Sequence, residues 1–185
     1  YMELKAYAKI NLSIDILRKR DDGYHDVRMI MQSISLHDIL NFGIRKNDIK
    51  LYCTEPYVPC DSRNIVYKAL ELIKSRYHVS CGMEVDIEKR IPVAAGLAGG
   101  STDGAAAIIA ANKLWNLNMS YEDMVDIGRR VGADVPFCIR GGSALAEGIG
   151  EKITRLPFIG EVHIVLAKPP IGVSTKEVYQ GLKLD

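Results

Sequence analysis

The chain has 185 residues, 48% of them hydrophobic and 25% charged, with 24 Lys+Arg against 23 Asp+Glu. That length suits one compact domain and part of a second, and the near-neutral balance excludes a general attraction to nucleic acid or to an anionic membrane. No apolar run approaches the ~20 residues that cross a bilayer, and the four cysteines (Cys53, Cys60, Cys81, Cys138) show neither a CxxC pair nor a zinc spacing.

The N-terminus lacks a basic-then-apolar signal layout, so a cytoplasmic protein with free thiols is expected. Residues 4–16, "LKAYAKINLSIDI", alternate. Leu4, Ala6, Ala8, Ile10, Leu12, Ile14 and Ile16 fall on one face, with Tyr7, Lys9 and Asn11 in a row on the other. This predicts a strand with one buried face. The basic run 18–20 leads into a solvated turn, "RDDGY", and Tyr24 and His25 follow it. "VRMIMQSISL" (27–36) reads as a second strand. A helix is predicted over 62–77 with Ser62 as its cap, and "MEVDIE" (83–88) is a third strand. "STDGAAAIIAANKLW" (101–115) reads as a helix. Another spans 120–132, where Ser120 and Asp123 have capping-box spacing and Gly132 terminates it. "PFCIRGGSALAE" (136–147) reads as a hairpin around Gly141–Gly142, and "VHIVLAK" (162–168) as a further strand. Helices and strands mix without a regular βαβ repeat. The expected fold is therefore a two-layer α+β domain to about residue 157, with 158–185 beginning a second domain.

"PVAAGLAGGSTDGAAAII" (92–109) has four glycines within nine residues, and then an alanine-rich run. No Lys-Ser/Thr follows the glycines, as a P-loop requires, and G-x-G-x-x-G is absent. Flexible backbone leading into a helix N-terminus is suited to an anion. The same residues also suit a tight turn beneath close helix–sheet packing, and composition leaves both open. Asp134 lies two residues before Pro136 on a constrained turn, where a carboxylate either bonds its own turn or serves a site. Lys9 and Asn11 are either functional or a solvated edge. His37, His78 and His163 have no motif around them.

In this order, "AKINL", "DGYH", "KRIPVAAGLAGGSTDGAAA", "GADVPF" and "AEGIGE" resemble the GHMP kinases over nearly the whole chain. These are the small-molecule kinases named for galactokinase, homoserine kinase, mevalonate kinase and phosphomevalonate kinase. "PVAAGLAGGSTD" is similar almost throughout to their central ATP-binding loop. The resemblance implies a ribosomal-protein-like α+β N-terminal domain over 1–157, and over 158–185 the start of an α/β C-terminal domain. That domain carries a further glycine-rich motif in the family, which "YQGLKLD" does not reach. The implied cofactors are ATP and Mg²⁺. Gly96, Leu97, Ala98, Gly99, Gly100, Ser101 and Thr102 would cradle the phosphates, with Pro92, Lys89 and Asn64 near the adenosine. Asp134 would be the catalytic acid/base with Lys9 beside it, and Ser101 would contact the metal.

The flanking "AKINL", "GYH", "GADVPF" and "GVSTKEVY" (172–179) narrow the resemblance. They point to the branch that phosphorylates the 2-hydroxyl of a cytidine-diphosphate-linked methylerythritol, in non-mevalonate isoprenoid synthesis. Asn11, Tyr24, His25 and Tyr179 would then hold that small-molecule substrate. The residue types suit the chemistry, because phosphoryl transfer asks for positioning and for N–H dipoles or cations on developing charge. Another family kinase, acting on mevalonate or homoserine, is the alternative, as is a non-catalytic anion-binding module. No nucleic-acid or membrane partner is expected. Apolar surface left by an incomplete second domain leads to the expectation of a homodimer.

Overall fold

The computed structural model describes residues 1–169 and Gly181. Its framework is a long antiparallel ribbon, β1 (Met2–Lys19) and β2 (His25–Arg45), turning through Asp21–Gly23. β2 runs nine residues past the end expected from sequence. The polar pair His37–Asp38 reads as a break, but Asp38 is fully buried and its carboxylate is satisfied by Lys89 and by the amides of Arg90 and Ile91. A buried charge with partners need not end a strand.

Beyond β2 lie β3 (Ile49–Cys53), α1 (Ile65–Tyr77), β4 (Gly82–Glu88), α2 (Gly99–Leu114), α3 (Tyr121–Val131), α4 (Val135–Arg140), β5 (Ser143–Gly148) and β6 (Lys152–Arg155). The sheet runs β3-β4-β2-β5-β6, and β1 pairs with β2 as well. Along one edge β2 therefore meets β1. Along the other it meets β5 with Val27–Gln32 and β4 with Ile39–Arg45. The helices bury Leu40, Phe42, Val85 and Ile87 of the sheet against Val66, Leu70, Ala107, Ile108 and Ile127. Glu3, Lys5, Lys50, Asp86 and Glu88 are exposed on the strands. The result is the two-layer α+β arrangement.

Several local readings change. The stretch 136–140 is helical, not the first arm of a hairpin. Pro136 sits in the first turn of α4, where its missing N–H costs nothing, whereas in a strand it would cost a ladder bond. α4 buries Val135, Pro136 and Phe137, and only Ser143–Gly148 is strand. α1 is capped by Asn64 rather than Ser62: its Oδ1 accepts from the Val66 amide at 2.9 Å. The Ser120–Asp123 capping box of α3 is present. β3 has only five residues and forms as the parallel partner of β4. Residues 162–168 pair with no strand among the described residues, and Val165 is 94% exposed.

The alternation of β1 holds to Ala8 and then breaks. Three residues of β2, Ile34–Leu36, stand opposite the single residue Ala8, and β1 itself carries an extra residue at Leu12. Each bulge shifts the phase of the side chains. Ala8 and Lys9 are consequently both buried, while Leu12 and Ile14, expected inside, are exposed. Tyr7 is cut off from Lys9 and Asn11 by this shift and lies against the His37 ring, centroids 5.3 Å apart.

Candidate active site

The glycine segment has the backbone geometry that each of its two readings requires. Gly104 is a close approach: a Cβ there would lie 2.5 Å from Ile65 Cγ2, so α1 and α2 meet without a side chain between them. Gly96 is conformational, with φ +73° and open space around it. Ala94 (φ 54°) and Ala98 (φ 59°) are also left-handed, so every second residue from 94 to 98 has positive φ. Alanine in this region is strained. Alternation of this kind turns successive amides toward one side and makes an anion-binding concavity.

α2 begins directly above it. Its N-cap, Ala98, offers no side-chain bond, and the amides of Gly99, Gly100 and Ser101 lack the intrahelical acceptors that a helix start cannot supply. The loop is pinned to the free edge of β1. The Lys9 amide donates to the Leu97 carbonyl at 3.1 Å, and the buried Thr102 hydroxyl donates to the Tyr7 carbonyl at 2.9 Å.

That edge carries Lys9. Its Nζ lies 3.8 Å from Asp134 Oδ2 and donates to Asn11 Oδ1 at 3.3 Å. Asp134 caps the backbone of α4 with no side-chain bond to its own turn. Its carboxylate is 36% exposed, available to a ligand, whereas Lys9 is 8% exposed. Both residues line a cleft of about 580 Å³ together with Asn11, Asn64, Pro92, Gly96–Ser101 and Lys89. This volume falls within the range of small-molecule sites. The neighbouring Cys138 thiol is pushed up to about 12 by burial and by the Asp134 charge, so it is no nucleophile.

Beneath the loop is a buried charge cluster. The Lys89 ammonium bonds Asp38 Oδ2 and, at 2.9 Å, Asp103 Oδ2. Burial pulls the lysine down, but the two carboxylates outweigh it and hold it above its ordinary value. Burial pushes the Asp103 carboxyl up to about 7, the Asp38 charge adding to the effect and Lys89 opposing it. The folded state thus binds this proton more tightly than an exposed carboxyl does. The stability it contributes is present below the unfolded value of 3.8 and is lost as pH rises to about 7. Between about pH 5 and about pH 8, Asp103→Asn is expected to lose less stability than the parent chain. Equal shifts of the urea midpoint in the two proteins would remove the assignment.

The cleft gathers Lys9, Asn11, Asp134, Pro92, Asn64, Lys89 and the loop through Ser101. Two of these side chains are already engaged: Lys89 in the cluster, and Asn64 as a cap that also donates to the Pro59 carbonyl at 2.8 Å. Thr102 faces β1, not the cleft. Tyr24, 61% exposed, and the half-buried His25 stand at the hairpin end of the ribbon, outside the lining. Met29 lines the cleft, and four residues of strand, about 13 Å, separate it from His25. Tyr179 lies outside the described residues. Sequence reasoning missed Tyr57, Val58 and Pro59 on the opposite wall, Ile14 and Met29 on the ribbon, and Asp103. An aspartate inside an alanine-rich buried helix was the available signal for the last.

A glycine-rich loop opening onto a helix thus shares one cleft of an α+β domain with a lysine–aspartate pair, an arrangement suited to holding a phosphate beside a charged side chain. The family model described as "GHMP kinases N terminal domain" matches residues 64–142 of this chain. The chain is 57% identical over 184 residues to the 4-diphosphocytidyl-2-C-methyl-D-erythritol kinase of Acetivibrio thermocellus, covering 100% of this chain and 65% of that one. It is 54% identical over 183 residues to the kinase of the same name from Clostridium botulinum (strain Alaska E43 / Type E3), covering 99% and 65%. A crystal structure of 4-(cytidine 5'-diphospho)-2C-methyl-D-erythritol kinase superposes with a TM-score of 0.81 at 31% identity, over 98% of this chain and 65% of that one. Homoserine kinase from Cytophaga hutchinsonii, at 17% identity and a TM-score of 0.68, shares the fold. The chain thus spans just under two thirds of the length of the relatives it matches. Among the described residues no helix is long and apolar enough to cross a membrane.

Proposed function

We propose that this chain is the nucleotide-binding and catalytic part of an ATP-dependent kinase. Its acceptor is the 2-hydroxyl of 4-diphosphocytidyl-2-C-methyl-D-erythritol, in cytoplasmic isoprenoid precursor synthesis. The observation that carries the reading is the Lys9–Asp134 pair on the cleft that also holds the phosphate loop. The names of the relatives at 54–57% identity supply the acceptor. We assign residues 1–157 to this domain, since the last ladder pair ends at Arg155, and 158–185 to the start of the next.

The amides of Gly96–Ser101 bind the phosphate oxygens of ATP, where fixed dipoles meet negative charge without reorganising. Asp134 accepts a hydrogen bond from the attacking hydroxyl, orients it in line, and receives its proton as the new P–O bond forms. Lys9 places a cation beside that carboxylate and beside the transferring group. The donor set fits a Mg²⁺ ion held mainly by phosphates and water: Ser101 supplies a hydroxyl at the loop, and the described residues contain no cluster of three or more His, Cys, Asp or Glu for an all-protein cage. When bound, the ion neutralises phosphate charge.

An elongated substrate with its polyol at Lys9 and its cytosine at the hairpin spans the separation between the cleft and His25. His25→Ala is therefore expected to weaken binding of the cytidylyl substrate while leaving ATP affinity unchanged. Isothermal titration with each ligand reads this, and unchanged affinity for the cytidylyl compound would remove His25 from the site. Transfer of labelled γ-phosphate to 4-diphosphocytidyl-2-C-methyl-D-erythritol, compared with mevalonate and homoserine, tests the function. Equal or greater labelling of either alternative would overturn the acceptor assignment.

A further inference from the structure

We propose that Asp103 is a positioning residue for the nucleotide cradle, a role that rests on the function proposed above. From the second turn of α2 it clamps the Lys89 ammonium against Asp38. One buried cluster thereby joins β2, the segment after β4 and the helix that presents the phosphate loop.

Three observations lead there. First, the ammonium lies directly under the loop: a Cβ on Gly99 would come within 3.1 Å of Lys89 Nζ, and within 3.2 Å of Ile91 Cγ2. The height of the α2 N-terminus above the sheet is set by this contact. Second, Asp38 holds the other end rigidly, because it also accepts the amides of Arg90 at 2.5 Å and Ile91 at 2.8 Å, immediately before the loop. Two of the three lysine N–H donors are thus spent on carboxylates, and the third is left for the cleft whose wall Lys89 forms. Third, among the described residues Asp103 Oδ1 is buried without a partner, although the residue lines the cleft. An unsatisfied carboxylate oxygen is costly. A residue kept for stability alone would not be left half-bonded, whereas one that must place a lysine against a ligand can be.

The cluster resembles a buried ion pair in its energetics. Replacing such a pair by apolar residues of similar volume is often neutral or stabilising, while removing one partner is not. That asymmetry separates positioning from mere support. Asp103→Ala is expected to speed hydrogen exchange of the 93–101 amides, and to weaken binding of the ATP analogue AMP-PNP, about ten- to a hundredfold. α1 and β4 should exchange at the parent rate. Asp103→Asn, which keeps an oxygen for Lys89, should restore both readouts.

Should Asp103→Ala fail to fold, the triple variant Asp38→Asn/Lys89→Met/Asp103→Leu decides. Its asparagine keeps the oxygen that accepts the amides of Arg90 and Ile91 and leaves no buried charge, so the fold should be retained while the loop stays fast and the analogue binds weakly. Parent-like loop exchange in the triple variant would overturn the proposal. So would uniform acceleration of α1, β4 and the loop in Asp103→Ala. The exchange comparison needs no nucleotide: a parent chain that bound no AMP-PNP would overturn the proposed function, and the role of Asp103 would still be decided by the amides.

Discussion

Asp134→Asn is expected to fold, to bind ATP, and to lose about 10²–10⁴ in turnover. The asparagine keeps the size of the side chain and an oxygen to accept from a hydroxyl, but it cannot take a proton. Little of the fold depends on the charge. Asp134 makes no side-chain bond to the N-terminus of α4, and among the described residues its one ionic contact is with Lys9 at 3.8 Å. In the proposed function, nucleotide contacts come from loop amides that the substitution does not touch. The measurement is turnover with labelled ATP alongside AMP-PNP titration, so that chemistry and binding are read apart. Near-normal turnover would reject Asp134 as the base, and a matching loss of ATP affinity would make it a binding residue.

Lys9→Met should cost about 10²–10³ in turnover, the scale seen when one stabilising donor is removed from a transition state. Methionine preserves the volume of a side chain that is 8% exposed. The backbone bond from residue 9 to Leu97 survives, so the loop keeps its anchor on β1. Stability should change little, because the abandoned partner, Asp134, is 36% exposed and remains hydrated. If Lys9 and Asp134 act on the same developing charge, their losses will not add: the double variant should be no slower than the worse single one by more than a small factor. Fully additive losses would show that the two work on separate steps.

Most of the candidate site was legible in sequence because its parts lie in short contiguous segments. The proposed phosphate loop is one stretch of glycine and small residues, and its amides need only local backbone geometry to converge. Lys9 and Asn11 are two residues apart on one strand, so their shared face follows from the pleat. Asp134 could be singled out from its position before Pro136 but not given a partner by spacing alone. The misreadings fall where the local signal competed with a distant contact. The 136–140 stretch is apolar and short enough for either state, and packing of Phe137 under the ribbon with Met29, Met31 and Ala146 accompanies its helical turn.

What the chain determined unaided is the inventory: a half-buried N-terminal strand, three amphipathic or alanine-rich helices, a glycine loop opening one of them, and the lysine and aspartate available for catalysis. Only the tertiary structure decided how these meet. Bulges opposite Ala8 and at Leu12 shift the phase of β1, which buries Lys9 beside the loop and leaves Leu12 and Ile14 outside. Asp38, Lys89 and Asp103 come from separate elements, and their charges are tolerable only because folding brings all three together. Periodicity along a chain is set by local backbone geometry, whereas the register between strands and the pairing of buried charges depend on partners far away in sequence.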